Sequence, residues 1–241
     1  MQPLLHIQNL SKSFGNERVL TDVNLHLAQN KVLSLLGSSG SGKTTLLKII
    51  AGLEQPSSGK IFLNQTEISQ QPPQNRNIVY LYQEALLFPH LNVFENIAFG
   101  LRLKQQNNQE IKEKVAEMLQ FLDLEKHTRK MPNQLSGGQK QRVSFGRAMV
   151  VEPKLLLLDE PFGALDSSTR QKMQSLFKKL AEQLKISALF VTHDLKEAII
   201  MGDSIGKIQK GKLLQYENKQ AFFEDENSGV KNEVDFWKGI Q

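Results

Sequence analysis

The chain has 241 residues, which is enough to bury a large core, and it fits one domain or one domain with a smaller inserted lobe. Its formal net charge is +5, but lysine is spread along the chain without a run of five basic residues, so a basic nucleic-acid-binding arm is not indicated. Because cysteine is absent, the chain has no disulfide, thiol nucleophile or zinc–thiolate site.

The first residues do not resemble a targeting signal. Met1–His6 lacks a charged region followed by an apolar core, and no apolar run in the sequence is long enough to span a bilayer. We therefore expect a soluble protein that is not exported. The mild positive charge suits an anionic ligand, an anionic membrane surface or solubility alone.

Short β-type runs alternate with turn residues near the start, which predicts an antiparallel lobe beside the first strand of a parallel sheet. The third run leads directly into a glycine-rich segment. The runs are Leu5–Leu10, Val23–Leu27, Val32–Leu36 and Lys60–Leu63.

The glycine-rich segment leads into the apolar-periodic stretch Leu46–Ile50 and predicts a phosphate-binding loop. A strand that feeds such a turn into a helix directs backbone N–H groups and the positive helix end at one spot, which suits a triphosphate. Lys43 is then expected over the β and γ phosphates, and the Thr44 hydroxyl on Mg²⁺. A helix entry without a ligand is the alternative. This phosphate loop comprises Gly37, Ser38, Ser39, Gly40, Ser41, Gly42, Lys43 and Thr44.

The stretch from Asn92 to about Val150 is mostly helical in its periodicity and predicts a helical lobe. Glutamine- and asparagine-rich connections separate its helices. One helix face is expected to carry Ile111, Val115, Met118, Leu119 and Leu122.

The segment Leu135–Gln139, here called the signature segment, precedes a helix through Val143–Val150. Ser136 and Gln139 fit a capping box, which alone explains them as a helix start. The adjacent glycines, Gly137 and Gly138, are harder to explain in that way, because glycine weakens a helix and instead permits close backbone approach. A second phosphate site is therefore the competing interpretation.

Beyond the helical lobe, strands alternate with a helix, as in a parallel α/β sheet. A charged tail from Gln220 to Gln241 is expected to dock a short helix and to carry no chemistry; its aromatic residues are Phe222, Phe223, Phe236 and Trp237. The predicted elements are strands at Leu155–Leu158 and Ala188–Thr192, a helix at about 169–184, and a hairpin of Ser204–Ile208 and Lys212–Tyr216 around Lys210-Gly211.

Polar groups follow four predicted strands: the phosphate loop, Gln83 after Ile78–Tyr82, Asp159-Glu160, and His193. Ligands collect at the carboxyl ends of parallel strands, so we expect one shared site. Taken singly, Gln83 fits a solvated turn and His193 an ordinary surface or core histidine.

The carboxylates suggest specific chemistry at that site. Asp159 follows four leucines, where an ionised carboxylate needs compensation, and Mg²⁺ bound through water is the natural partner. Glu160 is expected to face the γ phosphate and deprotonate the attacking water. His193 is expected to contact the γ phosphate, and positioning with charge neutralisation suffices for phosphoryl transfer.

Together these residues resemble the nucleotide-binding subunit of ATP-binding cassette (ABC) transporters from about Leu5 to Tyr216. Leu135–Gln139 is similar to the family signature, Gln83 to its Q-loop, Gly163–Asp166 to its D-loop and His193 to its switch histidine. Phe14 lies where the family places an aromatic residue that stacks on adenine.

The resemblance implies an α/β fold: a P-loop NTPase ABC cassette with a mixed parallel sheet core, an N-terminal antiparallel β lobe and an inserted helical lobe. It implies one ABC ATPase domain over 1–241, with the core and β lobe at about 1–91 and 151–220, the helical lobe at about 92–150 and a tail at 220–241.

The family further implies a head-to-tail homodimer that closes on ATP and opens after hydrolysis. Each ATP would lie between Gly42–Thr45 of one copy and Ser136–Gln139 of the other. Glu160, His193 and Lys43 are the implied catalytic residues, and Thr44, Gln83 and Asp159 the implied Mg²⁺ ligands. The implied nucleotide contacts are Phe14, the phosphate loop, Thr45, Gln83, Ser136, Gly137, Gly138, Gln139 and Asp166.

Leu87–Leu101 is similar to importers of the polyamine, ferric iron, sulfate and maltose type. In those, the region after Gln83 receives a coupling helix from a membrane subunit, which implies a place on the cytoplasmic face of the inner membrane and no nucleic-acid partner. A turn capped by Asn92 before an amphipathic helix is the simpler interpretation. Phe14, Gly163 and Tyr82 replace the more frequent Tyr, Ser and Phe.

Three alternatives remain open at this point. An exporter or lipid-transport ATPase would use the same cassette. A soluble ABC ATPase acting on DNA or ribosomes would usually carry two cassettes or a long coiled-coil insertion, and a small-molecule kinase would need no signature segment. The chain ends too soon for the regulatory β-domain of larger relatives, so such regulation is not expected.

Overall fold

The computed structural model describes residues 3–231, in which ten strands and seven α-helices occur. The strands are β1 (Leu5–Phe14), β2 (Glu17–Leu27), β3 (Val32–Leu36), β4 (Ser58–Leu63), β5 (Thr66–Glu67), β6 (Ile78–Leu81), β7 (Leu155–Asp159), β8 (Ala188–Thr192), β9 (Ser204–Gln209) and β10 (Lys212–Gln215). The helices are α1 (Lys43–Ala51), α2 (Val93–Leu103), α3 (Asn108–Phe121), α4 (Gly137–Met149), α5 (Ser167–Gln183), α6 (Leu195–Met201) and α7 (Lys219–Glu224).

The chain divides into two compact units. The first consists of Met1–Ile78 and Ser187–Gln241, and the second of Val79–Ile186. No helix between residues 3 and 231 combines the length and the apolar character needed to cross a membrane.

The first unit contains the expected antiparallel sheet, in the order β2-β1-β4-β5. Both strands of its first hairpin are longer than predicted: β1 continues from Leu10 to Phe14, and β2 begins at Glu17 instead of Val23. The extension was missed because Ser11 and Lys12 are polar and yet buried, which breaks the alternation that marks a strand.

The other strands of the first unit lie in the order β10-β9-β3-β8, with β3 parallel to both neighbours and β10 antiparallel to β9. Every residue of β3 and β8 is buried, as expected for strands covered on both faces. Strands β9 and β10 form the predicted hairpin around Lys210-Gly211. Leu36 pairs with Thr192, so the residues after β3 and β8 emerge at the same edge.

Helix α7 docks on the first unit, as expected for the start of the tail. The fully buried Phe222 packs with Leu36, Ile205 and Tyr216. The Tyr216 hydroxyl donates to Oδ2 of Asp225 over 2.5 Å. Phe236 and Trp237 lie outside the described residues.

In the second unit, the predicted helical stretch forms α2, α3 and α4. The predicted apolar face is buried, with all five of its residues at most 5% exposed. A Cβ on Gly146 of α4 would lie 2.6 Å from Cδ1 of Leu122, so this glycine permits the close approach of α4 to the end of α3. Strand β6 ends at Leu81, one residue before its predicted end.

Helix α5 begins at Ser167, two residues before its predicted start. Asp166 caps it, accepting hydrogen bonds from the backbone N–H groups of Ser168 (3.1 Å) and Thr169 (3.0 Å). This cap explains the earlier start, because it satisfies N–H groups of the first turn.

Candidate functional site

The phosphate loop has the backbone that a close approach to an anion requires. Gly40 and Gly42 have φ values of 76° and 103°, a region that other residues rarely adopt. A Cβ on Gly42 would lie 2.7 Å from Cδ2 of Leu20 and 3.0 Å from the Val19 carbonyl oxygen. The sequence therefore needs glycine here for both conformation and space.

The start of α1 differs from the starts of the other α-helices in residues 3–231. Its N-cap is Gly42, which has no side chain to accept from the first-turn N–H groups, and the first turn contains no acidic residue. The remaining six helices are each capped by a side chain: Asn92, Asn107, Ser136, Asp166, Asp194 and Asn218. A helix end with this character is suited to an external anion.

Lys43 is 5% exposed, and its ammonium donates to the carbonyl oxygens of Gly37 (2.7 Å) and Ser38 (2.9 Å). The Lys43 ammonium is therefore held by carbonyl oxygens of the phosphate loop itself. Thr44 is exposed and Thr45 is half-buried in the first turn of α1. Ser39 and Gly40 are exposed and Ser41 is buried.

The residue before His193 is hydrogen-bonded to the phosphate loop. The Gly37 N–H donates to the carbonyl oxygen of Thr192 over 3.3 Å, which ties the loop to the residue before His193. The Thr192 hydroxyl donates to the buried carboxylate of Glu197 over 2.5 Å and accepts from the Asp194 N–H over 3.0 Å. These bonds fix the backbone on both sides of the exposed His193.

Phe14 ends β1 with 47% of its surface exposed. The Lys12 ammonium lies 4.5 Å from the centre of its ring and donates to Glu54 over 2.7 Å. An exposed ring of this kind can stack on a base, and the cation adds a favourable contact with its π-system.

In the second unit, Asp159 ends β7 and accepts a 2.6 Å hydrogen bond from the Tyr80 hydroxyl on β6. Burial, together with the neighbouring carboxylate, raises the pKa of Tyr80 far above its usual range, so the phenol stays protonated. The next residue, Glu160, has φ of 46°, a conformation that is rare outside glycine and recurs at functional sites.

Gly163 connects Glu160 to Gln83 within this unit. Its N–H donates to the Glu160 carbonyl oxygen over 3.1 Å. A Cβ at this position would lie 3.1 Å from Nε2 of Gln83, so the replacement of the more frequent serine leaves room for the Gln83 amide. The side chain of Gln83 and the backbone of Glu160 thus share one neighbourhood.

The signature segment forms the predicted capping box. The Gln139 N–H donates to Oγ of Ser136 (3.3 Å), and the Ser136 N–H donates to Oε1 of Gln139 (3.0 Å). A Cβ on Gly138 would lie 2.8 Å from Cγ2 of Thr169, whereas one on Gly137 would meet nothing within 4 Å. Packing therefore explains Gly138, while Gly137 leaves the backbone accessible.

A polar cleft of about 470 Å³ opens over this helix start within the second unit. The signature segment lines one side through Ser136, Gly137, Gly138 and Gln139, and Ala164–Asp166 lines another. Hydrogen bonds from Thr169, and then from Ser168, lower the pKa of Asp166 below its usual range, so its carboxylate is ionised at neutral pH.

Residues 84–91, here called the docking segment, are held by two polar side chains that sequence analysis missed. Asn96 is fully buried and bonds the backbone N–H and carbonyl of Phe88 and the carbonyl of Leu91. Arg147 donates to the Leu86 carbonyl oxygen over 2.6 Å and lies 5.0 Å from the centre of the Phe88 ring. Burial lowers the pKa of Arg147. Asn92 caps α2 as expected, by accepting from the Glu95 N–H.

A profile described as ABC transporter matches residues 20–163. The chain belongs to the ABC transporter family. The predicted family is thereby confirmed.

Among its relatives, this ABC transporter chain is 46% identical over 222 residues to the spermidine/putrescine import ATP-binding protein PotA of Legionella pneumophila, covering 92% of this chain and 61% of the relative. It is 44% identical over 214 residues to the probable sulfate/thiosulfate import ATP-binding protein CysA of Chlorella vulgaris, covering 89% of this chain and 91% of the relative. The chain thus spans about three fifths of the length of the PotA relatives.

The structure of cbiO1 from Clostridium perfringens, described as part of the ABC transporter complex cbiONQ, superposes with a TM-score of 0.85 at 27% identity. The superposition covers 96% of this chain and 94% of that one. The predicted fold class is therefore confirmed. The phosphate loop, Phe14 and His193 belong to the first unit of this ABC transporter chain, and Gln83, Asp159, Glu160, Asp166 and the signature segment to the second; that they form one shared site remains a prediction.

Proposed function

We propose that this chain is the ATP-binding and ATP-hydrolysing subunit of an ABC importer that works with separate membrane subunits. The observation that carries the proposal is the start of α1, which is entered through glycines, lacks a side-chain cap and has the buried Lys43 as its first residue. Backbone N–H groups and one cation directed at a single place suit the phosphates of a nucleotide. Membership of the ABC transporter family supports ATP as that nucleotide.

In this proposal ATP places its adenine on Phe14 and its phosphates in the phosphate loop. The exposed ring of Phe14 supports the first contact, and the positive φ values of Gly40 and Gly42 support the second. Lys43 balances charge on the β and γ phosphates. Thr45, in the same first turn of α1, is a further contact to the nucleotide.

We assign Mg²⁺ to Thr44, Gln83 and Asp159, which offer a hydroxyl, an amide oxygen and a carboxylate. These hard oxygen donors fit Mg²⁺, which commonly binds through one or two carboxylates together with substrate phosphates. No cluster of three or more His, Cys, Asp or Glu side chains suited to a metal occurs in residues 3–231. When bound, the ion neutralises phosphate charge.

Hydrolysis is assigned to Glu160 as the base that orients and deprotonates the attacking water, with His193 contacting the γ phosphate. The strained backbone of Glu160, with φ of 46°, supports a fixed direction for its side chain. The hydrogen bonds around Thr192 support a fixed position for His193.

We propose a head-to-tail homodimer in which the phosphate loop of one copy faces the signature segment of the other. The accessible backbone of Gly137, with Ser136 and Gln139 around one polar cleft, supports a second anion-binding half-site, and Asp166 lines the same cleft. Gly138 lies between Gly137 and Gln139 in the chain and is assigned to the same half-site. Closure on ATP and opening after hydrolysis would then be a nucleotide-driven shift between two states.

The docking segment is proposed to receive a helix of a membrane permease subunit at the cytoplasmic face of the inner membrane. Leu86 in this segment is 52% exposed, and Asn96 and Arg147 hold the backbone around it in place. The import functions named for the PotA and CysA relatives support uptake as the direction. We propose one ABC ATPase domain over 1–241 with the lobes expected from its sequence, and no nucleic-acid partner.

The proposal is tested with Glu160→Gln. The variant should keep ATP, lose about 100-fold or more in phosphate release, and accumulate as an ATP-bound dimer, because a missing general base typically slows a reaction 10²–10⁴-fold. Light scattering with Mg²⁺ and ATP measures the dimer. Glu152→Gln is the matched control, since Glu152 is an exposed carboxylate of the same unit paired with Lys114, and it should behave as wild type. A monomeric, fully active Glu160→Gln protein would refute the assignment.

A further inference from the structure

His127 contacts the signature segment from outside it. Its Nε2 lies 3.1 Å from Nε2 of Gln139, and both residues line the same polar cleft as Ser136. His127 ends a short 3₁₀ turn, Glu125–His127, which lies before α4 in the chain. The capping-box pattern involves only Ser136 and Gln139, so sequence analysis did not identify this third residue.

The hydrogen bonds determine which way the Gln139 amide faces. Its Oε1 accepts from the Ser136 N–H over 3.0 Å, so its NH₂ group must be the end that faces His127. An NH₂ group can only donate, so Nε2 of His127 must accept. The imidazole is then neutral and carries its proton on Nδ1.

The Nδ1 atom is buried and has no hydrogen-bond partner in the described portion of the chain. A buried N–H without an acceptor is unfavourable. The reverse tautomer, however, would direct an N–H of His127 at the NH₂ group of Gln139. The contact with Gln139 thus sets the tautomer of His127 even though Nδ1 gains no bond.

We propose that His127 is a positioning residue for the signature segment, an inference that rests on the proposed function. By accepting from Gln139, it holds the amide in the rotamer that completes the capping box, and so keeps Ser136 and the backbone of Gly137 oriented toward the cleft. His127 acts through Gln139 and needs no contact with nucleotide.

Protonation of His127 reverses this effect. An imidazolium donates from both nitrogens, so Gln139 must turn Oε1 toward it and release the Ser136 N–H, which opens half of the capping box. The charged groups lining the same cleft are Asp123, Arg142, Asp166 and Lys172.

His127→Leu and His127→Gln separate the roles of shape and hydrogen bonding. His127→Leu removes the acceptor and should lower ATP turnover about three- to tenfold, the effect of one net hydrogen bond, without changing the affinity of the monomer for an ATP analogue. His127→Gln offers an amide oxygen and should recover turnover at pH 8. His26→Leu, an exposed histidine on β2, is the control.

A readout without ATP separates this proposal from the proposed function. Hydrogen exchange of the Ser136 and Gln139 amides should be about three- to tenfold faster in His127→Leu than in wild type, and normal in His127→Gln. Equal exchange in all three proteins would overturn the positioning role. If instead Glu160→Gln fails to dimerise with ATP while exchange changes as expected, the proposed function fails and the His127 contact stands.

Discussion

The Tyr80 hydroxyl donates a 2.6 Å hydrogen bond to Oδ2 of Asp159, joining the ends of β6 and β7. The phenol is held protonated because burial and the carboxylate raise its pKa far above the usual range. One oxygen of Asp159 is therefore engaged by a permanent donor, which restricts how the carboxylate can turn. In the proposed magnesium site, Tyr80 is the group that orients this ligand.

Tyr80→Phe should raise the Mg²⁺ concentration needed for half-maximal ATP turnover about tenfold, because loss of a group that orients a metal ligand typically weakens metal affinity 10- to 100-fold. Tyr82→Phe is the control, since Tyr82 is 41% exposed and its ring lies 4.5 Å from that of Tyr80. Titrating turnover with Mg²⁺ at saturating ATP measures the effect. Overlapping curves for wild type and Tyr80→Phe would exclude an orienting role.

Lys43→Ala should weaken nucleotide binding on the order of 100-fold, because truncating a buried, hydrogen-bonded charge at a binding site commonly costs 2–5 kcal/mol. Lys48→Ala tests the same change on the exposed side of the same helix and should leave affinity within about twofold of wild type. Binding of a fluorescent ATP analogue measures both. Unchanged affinity in Lys43→Ala would mean that the phosphate loop has another role.

Asp166→Asn should remove a pH-dependent part of the stability. The helix cap lowers the pKa of Asp166 in the folded protein, so its contribution is complete above the unfolded-state pKa of about 3.9 and is lost as pH falls toward the folded value. The melting temperature of wild type should therefore fall more steeply than that of Asp166→Asn below about pH 4. Parallel curves from pH 6 to pH 3 would contradict this cap.

The strands β3 and β8 match their predicted bounds because each is a continuous apolar run buried along its full length. Pattern analysis works where burial is uniform. It failed at β1, where Lys12 is buried because Glu54 and the Gln55 carbonyl oxygen bind its ammonium. Those partners lie more than 40 positions away, and no local pattern indicates them.

The residues of the candidate site also fall into two groups: those that a local sequence pattern predicts, and those whose contacts appear only in the folded structure. The phosphate loop and the capping box are local patterns, and the sequence predicts both. Tyr80, Arg147 and His127 act through contacts with residues 79, 61 and 12 positions away, so their roles emerge only from the folded structure. The sequence shows Gly163 as the start of the segment similar to the D-loop and as a departure from the family, and its fit beside Gln83 explains why the site tolerates it.

Arg76 stabilises the far end of the helix that follows the phosphate loop. The residue is 2% exposed, and its guanidinium donates to the carbonyl oxygens of Ile49 and Ile50 at the end of α1 and of Ser69 and Gln71, over 2.8–3.0 Å. The Ile49 carbonyl also accepts from the Gly52 N–H, and the cation opposes the negative end of the helix. Burial lowers the pKa of Arg76, yet an arginine remains charged at neutral pH.

Arg76→Met should therefore lower the free energy of unfolding by about 3 kcal/mol or more, since each buried carbonyl left without a donor costs about 1–3 kcal/mol. Arg76→Lys, with a single ammonium in place of the fork, should lie between Arg76→Met and wild type. Arg102→Met is the control: Arg102 is half-exposed and pairs with Glu95, so its loss should cost less than about 1 kcal/mol. Urea unfolding followed by circular dichroism measures all three. A loss in Arg76→Met no larger than in Arg102→Met would show that the α1 carbonyls do not depend on Arg76.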